Sequence, residues 1–185
     1  METNNRETFL EILKTVNRDG IDKLIAYLEK STFFTDPASA NFHSNYEGGL
    51  CQHSLNVYYR LRELTGKDDD TIKIVGLLHD ICKIGTYEVY QKNVKDTVSG
   101  VWTSCPAYRY KKSKLPYGHG EKSVFMLQNF IKLTMEESLA IRWHMGAYEP
   151  KELYSELGDA QSSYPLVILV NTADLLATKI DEKEE

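Results

Sequence analysis

Two residues stand where a buried helix has little use for them. In Gly76-Leu77-Leu78-His79-Asp80-Ile81-Cys82-Lys83-Ile84-Gly85, an apolar run from residue 72 to 78 leads straight into a histidine and an aspartate. Burying either without a partner costs several kcal/mol. Imidazole nitrogen and carboxylate oxygen are, however, good ligands for first-row divalent metals. Neighbours on a helix diverge by about 100°, so an ion seen by both lies off the helix flank and takes further ligands from elsewhere. The chain has five histidines, His43, His53, His79, His119 and His144. Four of them, with Asp80 and Asp174, run in the order His, His-Asp, His, His, Asp. Asp174 shares a helical stripe with Val170 and Ala177. A carboxylate there must be protonated, paired with a cation such as Arg60, Arg62 or Arg142, or bound to metal.

These residues need elements to carry them. Phe9, Ile12, Leu13 and Val16, then Ile21, Leu24, Ile25 and Leu28, repeat at helical spacing and predict a packing hairpin of two helices over 1–31. The pattern lapses from 32 to 49, through Asp36-Pro37 and Gly48-Gly49. A helix then starts near Leu50, with Leu50, Ser54, Val57, Leu61 and Leu64 on the face that holds His53. Asp68-Asp69-Asp70 supplies negative charge to the start of a helix over 71–81, which ends near Gly85. Tyr87, Val89 and Tyr90, then Val98, Val101 and Trp102 around Ser99-Gly100, predict a small β-hairpin. Helix returns over 121–132. Thr134-Met135-Glu136-Glu137 is a capping box that opens another, with Ala140, Ile141 and His144 on one face and Gly146 at its end. The last helix opens at Pro165 and runs to about Ile180. The fold class is all-α, one helical bundle with a small β-hairpin or irregular excursion.

The ordered ligand set, with Gly48-Gly49-Leu50-Cys51-Gln52-His53-Ser54 before it and Asn171-Thr172-Ala173-Asp174 closing it, resembles the HD-domain superfamily of metal-dependent phosphohydrolases. The resemblance runs over about 42–178. It implies a single HD domain over 1–185, with the hairpin at 1–31, an HD core at 42–178 and a substrate-side excursion at 86–117. It assigns His53, His79, Asp80 and Asp174 to one ion, and matches His119 and His144 to the extra histidines of dinuclear members, in which Asp80 bridges two ions. In a mononuclear protein His119 and His144 would instead contact phosphate or act as acid and base. The mixed ligands suit Mn²⁺, Fe²⁺, Co²⁺, Ni²⁺ or Zn²⁺ better than Mg²⁺. The segment Phe42-His43-Ser44-Asn45-Tyr46-Glu47-Gly48-Gly49-Leu50 is similar to the lead-in of the HD domain of a bacterial 3′-5′ exoribonuclease. That enzyme also carries an OB-type domain, for which 185 residues leave no room, so long single-stranded RNA is not the expected substrate. His43 lies outside the shared set and is either a surface residue or a functional one.

Other groups are candidates for substrate contact. Lys83 completes His-Asp-x-x-Lys and can hold a phosphate oxygen, offsetting charge in the transition state; its bland alternative is a helix-end lysine. Tyr108-Arg109-Tyr110-Lys111-Lys112-Ser113-Lys114-Leu115-Pro116-Tyr117 runs basic and aromatic into His119. Arg109, Tyr110 and Lys112 there could clasp a nucleotide, or the lysines could simply guard an exposed strand edge. Glu121, just after His119, is a candidate by position alone. The expected activity is metal-activated water attack on phosphorus in a nucleotide or other small phosphate ester or diester, with a short oligonucleotide as a further substrate. Asp80 and Lys83 are its expected catalytic residues. The alternatives are a di-iron oxygenase of the same fold and a non-catalytic nucleotide-binding module.

Bulk properties set outer bounds. The chain is long enough for one sizeable core. Its net charge of −5 gives no global attraction to nucleic acid or anionic membrane. No apolar run approaches the length of about 20 residues that spans a membrane, and the first residues lack a secretory pattern. Cys51, Cys82 and Cys105 form no CxxC pair, which argues against a disulfide framework. The cytoplasm is the expected location, and the oligomeric state is left open.

Overall fold

The computed structural model describes residues 4–112 and 115–183. Ser113 and Lys114 of the basic segment lie outside the described residues, as do the first three and last two residues. Among the described residues there are eight α-helices and one two-stranded antiparallel sheet, joined by short 3₁₀ and π turns: α1 Asn5–Lys14, α2 Ile21–Lys30, α3 Gly49–Thr65, α4 Asp70–Leu78, β1 Tyr87–Lys95, β2 Trp102–Tyr110, α5 His119–Gln128, α6 Met135–Trp143, α7 Tyr154–Ser163 and α8 Pro165–Leu176. None of the described helices is long and apolar enough to cross a membrane.

Local chemistry sets several of these boundaries. The Asp69 side chain accepts from Ile72 N–H and caps α4, while Thr134 and Glu137 cap α6 reciprocally, as the capping box predicts. Leu50, Val57 and Leu61 of α3, Ile74 and Leu77 of α4, Ile141 of α6 and Val170 of α8 form one buried core, and Phe9, Leu13, Leu24 and Leu28 of the N-terminal hairpin join it. Two glycines let helices approach closely. A Cβ on Gly76 would lie 2.6 Å from Tyr58 Cα, so α4 rests on α3 backbone to backbone. A Cβ on Gly120 would lie 2.0 Å from the Arg142 carbonyl oxygen, which presses α5 onto α6.

Glu137 ties three segments together. Its buried carboxylate accepts from Arg18 Nη1 (3.0 Å) and Nη2 (2.9 Å), from Thr71 Oγ1 (2.9 Å) and from Thr134 N–H (2.8 Å).

Several expected boundaries move. Helix α4 ends at Leu78, not at 81, because the chain leaves the helical path at Asp80 (φ −105°, ψ 17°) and makes one 3₁₀ turn over Ile81–Lys83. Ion pairs from Asp80 to Lys83 and His119 hold that departure. Helix α5 starts at His119 and stops at Gln128, where the Asn129 side chain donates to the Phe125 carbonyl (2.8 Å). Ile131 is buried from the turn beyond it. Asp96 accepts from Val98 N–H, Ser99 N–H and the Ser99 hydroxyl, so the hairpin turn is wider than Ser99-Gly100. Val98 and Val101 accordingly lie outside the strands. Helix α7 goes unpredicted, since it buries only Leu157 and Ala160 and shows no stripe. Helix α8 continues as a π-helical turn over Ala177–Asp181, ending about where the last helix is expected to end.

Candidate metal centre

Helix α3 delivers His53, the end of α4 delivers His79, and the turn after it Asp80. His119 is the first residue of α5, His144 follows the last residue of α6, and Asp174 lies on α8. The close approaches at Gly76 and Gly120 bring these elements together. Oδ2 of Asp80 lies 3.5 Å from Nε2 of His53 and 3.5 Å from Nε2 of His79. Its Oδ1 lies 2.6 Å from Nε2 of His119 and 3.5 Å from Nε2 of His144. Asp174 Oδ1 is 3.4 Å from His53 Nε2. One carboxylate is thus shared between two histidine pairs, one on each oxygen.

The ring tautomers follow from the outer partners. A carbonyl oxygen can only accept, so His79 Nδ1 donates to the Gly76 carbonyl (3.0 Å) and His144 Nδ1 to that of Ile141 (2.7 Å). His53 Nδ1 faces the Glu182 carboxylate at 3.0 Å. In their neutral forms all three rings therefore turn an Nε2 lone pair inward. The Nε2 atoms of His53 and His79 lie 3.3 Å apart, and Nε2 of His144 is buried with no hydrogen-bond partner. Lone pairs crowded on a carboxylate without protons between them repel, and a cation among them removes the conflict. The residues fit a metal. His53, His79 and Asp80 converge as one possible ligand group, His79, His144 and Asp174 as another, and Asp80, His119 and His144 as a third.

Burial works to raise the Asp80 carboxyl, but Lys83, His79 and His119 outweigh it and hold it well below the usual range. Burial pushes His79 down to about 3. Lys83 is buried with Nζ 2.6 Å from Asp80 Oδ2, and that carboxylate keeps it charged against the cost of burial. His119 (28% exposed side chain) and Asp174 (19%) are the accessible members, so the centre opens to solvent on their side.

The other sequence-predicted residues sort by position. Arg60 pairs with Asp181 and Glu63, Arg62 stacks over Tyr58 and Tyr59, and Arg142 pairs with Glu121 and Glu149. With these arginines engaged elsewhere, Asp174 faces the histidines and accepts from the Thr178 hydroxyl (3.1 Å). Glu121 is engaged by Arg142 at 2.5 Å. On the β-hairpin Tyr87 pairs with Tyr110 and Glu88 with Arg109. Arg109 Nε donates to Glu88 (2.8 Å), and the Tyr110 ring lies 5.0 Å from that of Tyr87. The Tyr87 hydroxyl in turn reaches the Ala38 carbonyl (3.4 Å). Lys112 is exposed, two residues beyond β2. The structure therefore gathers His53, His79, Asp80, Lys83, His119, His144 and Asp174, whereas Arg109 and Glu121 are engaged by Glu88 and Arg142, Tyr110 stacks on Tyr87, and Lys112 is exposed.

Of two further residues near the centre, Glu182 escapes sequence reasoning, while His43 is the histidine that the sequence leaves between a surface and a functional role. Glu182, just past the last helical turn, accepts from His53, and no local pattern signals it because 129 residues separate the two. His43 packs its ring 4.9 Å from that of His53.

A family model described as "HD domain" matches residues 50–179, more than half of the chain, and spans every ligand from His53 to Asp174. It begins past the lead-in segment, so the narrower likeness to an exoribonuclease gains no support from it. No curated protein and no solved structure matches the chain.

Proposed function

This chain belongs to the HD-domain family, and from that membership and the geometry of its centre we propose that it is a metal-dependent phosphohydrolase acting on a nucleotide or other small phosphate ester. The observation that carries this reading is the division of the Asp80 carboxylate between two histidine pairs, with the Nε2 lone pairs of His53, His79 and His144 turned toward it. His53, His79, Asp80 and Asp174 are the ligands for one divalent transition ion of the Mn, Fe, Co, Ni or Zn type, and Asp80, His119 and His144 for a second. Such ions polarise phosphoryl oxygens and lower the pKa of water.

The chain's own groups supply the rest. The outer acceptors Gly76, Ile141 and Glu182 fix the rings, so the ligands need no reorganisation when an ion or substrate arrives. Lys83 holds a permanent positive charge at the rim of Asp80. A phosphoryl oxygen reaching that ammonium would find its developing charge offset in a site largely cut off from water. The side bearing His119 and Asp174 admits substrate. The hairpin, whose base leans on residue 38, carries Arg109 and Tyr110, and Lys112 follows it; these three are the candidates for substrate selection. A buried lysine beside the ligands favours a phosphate-bearing substrate over the oxygenase alternative.

The test is phosphate release with added Mn²⁺ across nucleoside mono-, di- and triphosphates, cyclic nucleotides and short oligonucleotides, with Asp80→Ala as control. Turnover of at least one class, abolished in the variant, is the expected result. Absence of turnover throughout would contradict the reading.

A further inference from the structure

The metal centre has a wall that the family match leaves out. It is built from the loop before α3 and the end of the tail after α8, where Ser44 and Glu182 both lie beyond residues 50–179. Their junction is the Glu182 carboxylate, 3% exposed at its side chain. It accepts from His53 Nδ1 (3.0 Å), Asn56 Nδ2 (2.9 Å) and Ser44 Oγ (2.8 Å). Burial works to raise this carboxyl, and its donors, His53 foremost, pull it down to about 2. A buried anion on the outer nitrogen of a ligand does more than dock a tail. It commits the proton to Nδ1 and leaves Nε2 free for metal.

The same contact shapes the loop. Ser44 has the only positive φ among described non-glycine residues (46°). It is held there by Glu182 on its hydroxyl and by Ala38 N–H on its carbonyl (3.0 Å). A Cβ on Gly49 would lie 2.0 Å from that carbonyl oxygen, so the loop sits hard against the start of α3. The Ser39 hydroxyl donates to the His43 carbonyl (2.8 Å) and fixes the backbone on the other side. Between these restraints His43 lies against His53, and its Nε2 is buried without a hydrogen-bond partner. Strain of this kind, spent to seat an unsatisfied polar atom beside a reactive centre, points to a ligand that satisfies it.

We propose that Glu182 is a positioning residue that fixes His53 for metal binding, and that His43 is a further substrate-contacting residue whose Nε2 hydrogen-bonds a phosphate oxygen. The second half rests on the phosphohydrolase reading; the first needs only a metal. Together they make the 36–48 loop and the C-terminal tail part of the site.

The tests separate the two readings. Metal affinity is measured on the full chain by competition between Mn²⁺ or Zn²⁺ binding and a chromophoric chelator, with no substrate present. Glu182→Ala weakens affinity by about 10- to 100-fold, and Glu182→Gln, which keeps an acceptor on Nδ1, recovers part of it. Ser44→Ala and Asn56→Ala loosen the tail but leave the His53 bond, so they lower the urea midpoint with affinity changed less than about threefold. Equal affinity loss in Ala, Gln and the two docking variants would make Glu182 a tail anchor only. For His43, inorganic phosphate is titrated by calorimetry into Mn²⁺-loaded protein. His43→Ala keeps its metal stoichiometry and binds phosphate about tenfold more weakly. Unchanged phosphate affinity, or loss of an ion, would overturn the substrate-contact assignment. If no ester is hydrolysed, the phosphohydrolase reading fails while the Glu182 result stands.

Discussion

Glu137 and Asp80 are both carboxylates withdrawn from water, and their surroundings differ in kind. Every neighbour of Glu137 brings a proton: the Arg18 guanidinium, the Thr71 hydroxyl and the Thr134 amide. Asp80 has Lys83 and His119 close by, but His53, His79 and His144 approach it with their Nδ1 protons committed elsewhere. One buried charge is complete and joins α6 to α4 and the N-terminal hairpin. The other is crowded by acceptors and complete only with a cation. Satisfaction of hydrogen-bonding groups, more than burial, tells the structural site from the chemical one.

The widest separation between the two is expected from Asp80→Ala. It removes ligands from both histidine pairs and lowers phosphate release by about three orders of magnitude, the several kcal/mol that a metal supplies to phosphoryl transfer. Residual turnover within tenfold of the parent would show that Asp80 is not the shared ligand. Glu137→Gln should do the reverse, with activity per folded molecule retained and unfolding free energy lowered by about 3 kcal/mol. A urea denaturation series measures this. The pH dependence has a defined sign. The donors around Glu137, Arg18 foremost, overcome the effect of burial and depress its pKa. Its contribution is therefore full above the unfolded glutamate value of about 4.3 and is lost as pH falls through the lower folded value. As pH falls from the unfolded value toward the depressed folded one, the stabilities of parent and Glu137→Gln should converge.

Gly120→Ala lies between these extremes. Its Cβ meets the Arg142 carbonyl, so α5 must move away from α6 and carry His119 from His144, costing about 1–3 kcal/mol and activity together. Stability loss with activity and metal content intact would mean the two histidines need not be held at their present spacing. The smallest effect is expected at Glu121, whose partly exposed pair with Arg142 is worth less than about 1 kcal/mol. A larger drop in KM-dependent rate for Glu121→Gln would return it to substrate contact.

The fold and the centre were legible in the sequence to different degrees, for physical reasons. Apolar spacing in 9–28 and the reciprocal caps Thr134 and Glu137 are local signals, and the helices they predict are present. The order of histidines and aspartates is also written along the chain, and the fold gathers that set. The break in α4 at Asp80 is only partly local, because it is held by Lys83 three residues on and by His119, which the tertiary fold supplies. Helix α7 has too few buried residues to leave a period. Glu182 is invisible for a third reason, and the role of His43 stays open for the same one: their partners are set by how the loop and tail close over α3.

The measurement closest to the central claim is metal stoichiometry, by elemental analysis of anaerobically purified protein beside His119→Ala/His144→Ala. The division of Asp80 between two histidine pairs predicts two ions per chain in the parent and one in the double variant. No bound metal in the parent, even after reconstitution with Mn²⁺, Fe²⁺ or Zn²⁺, would contradict the account.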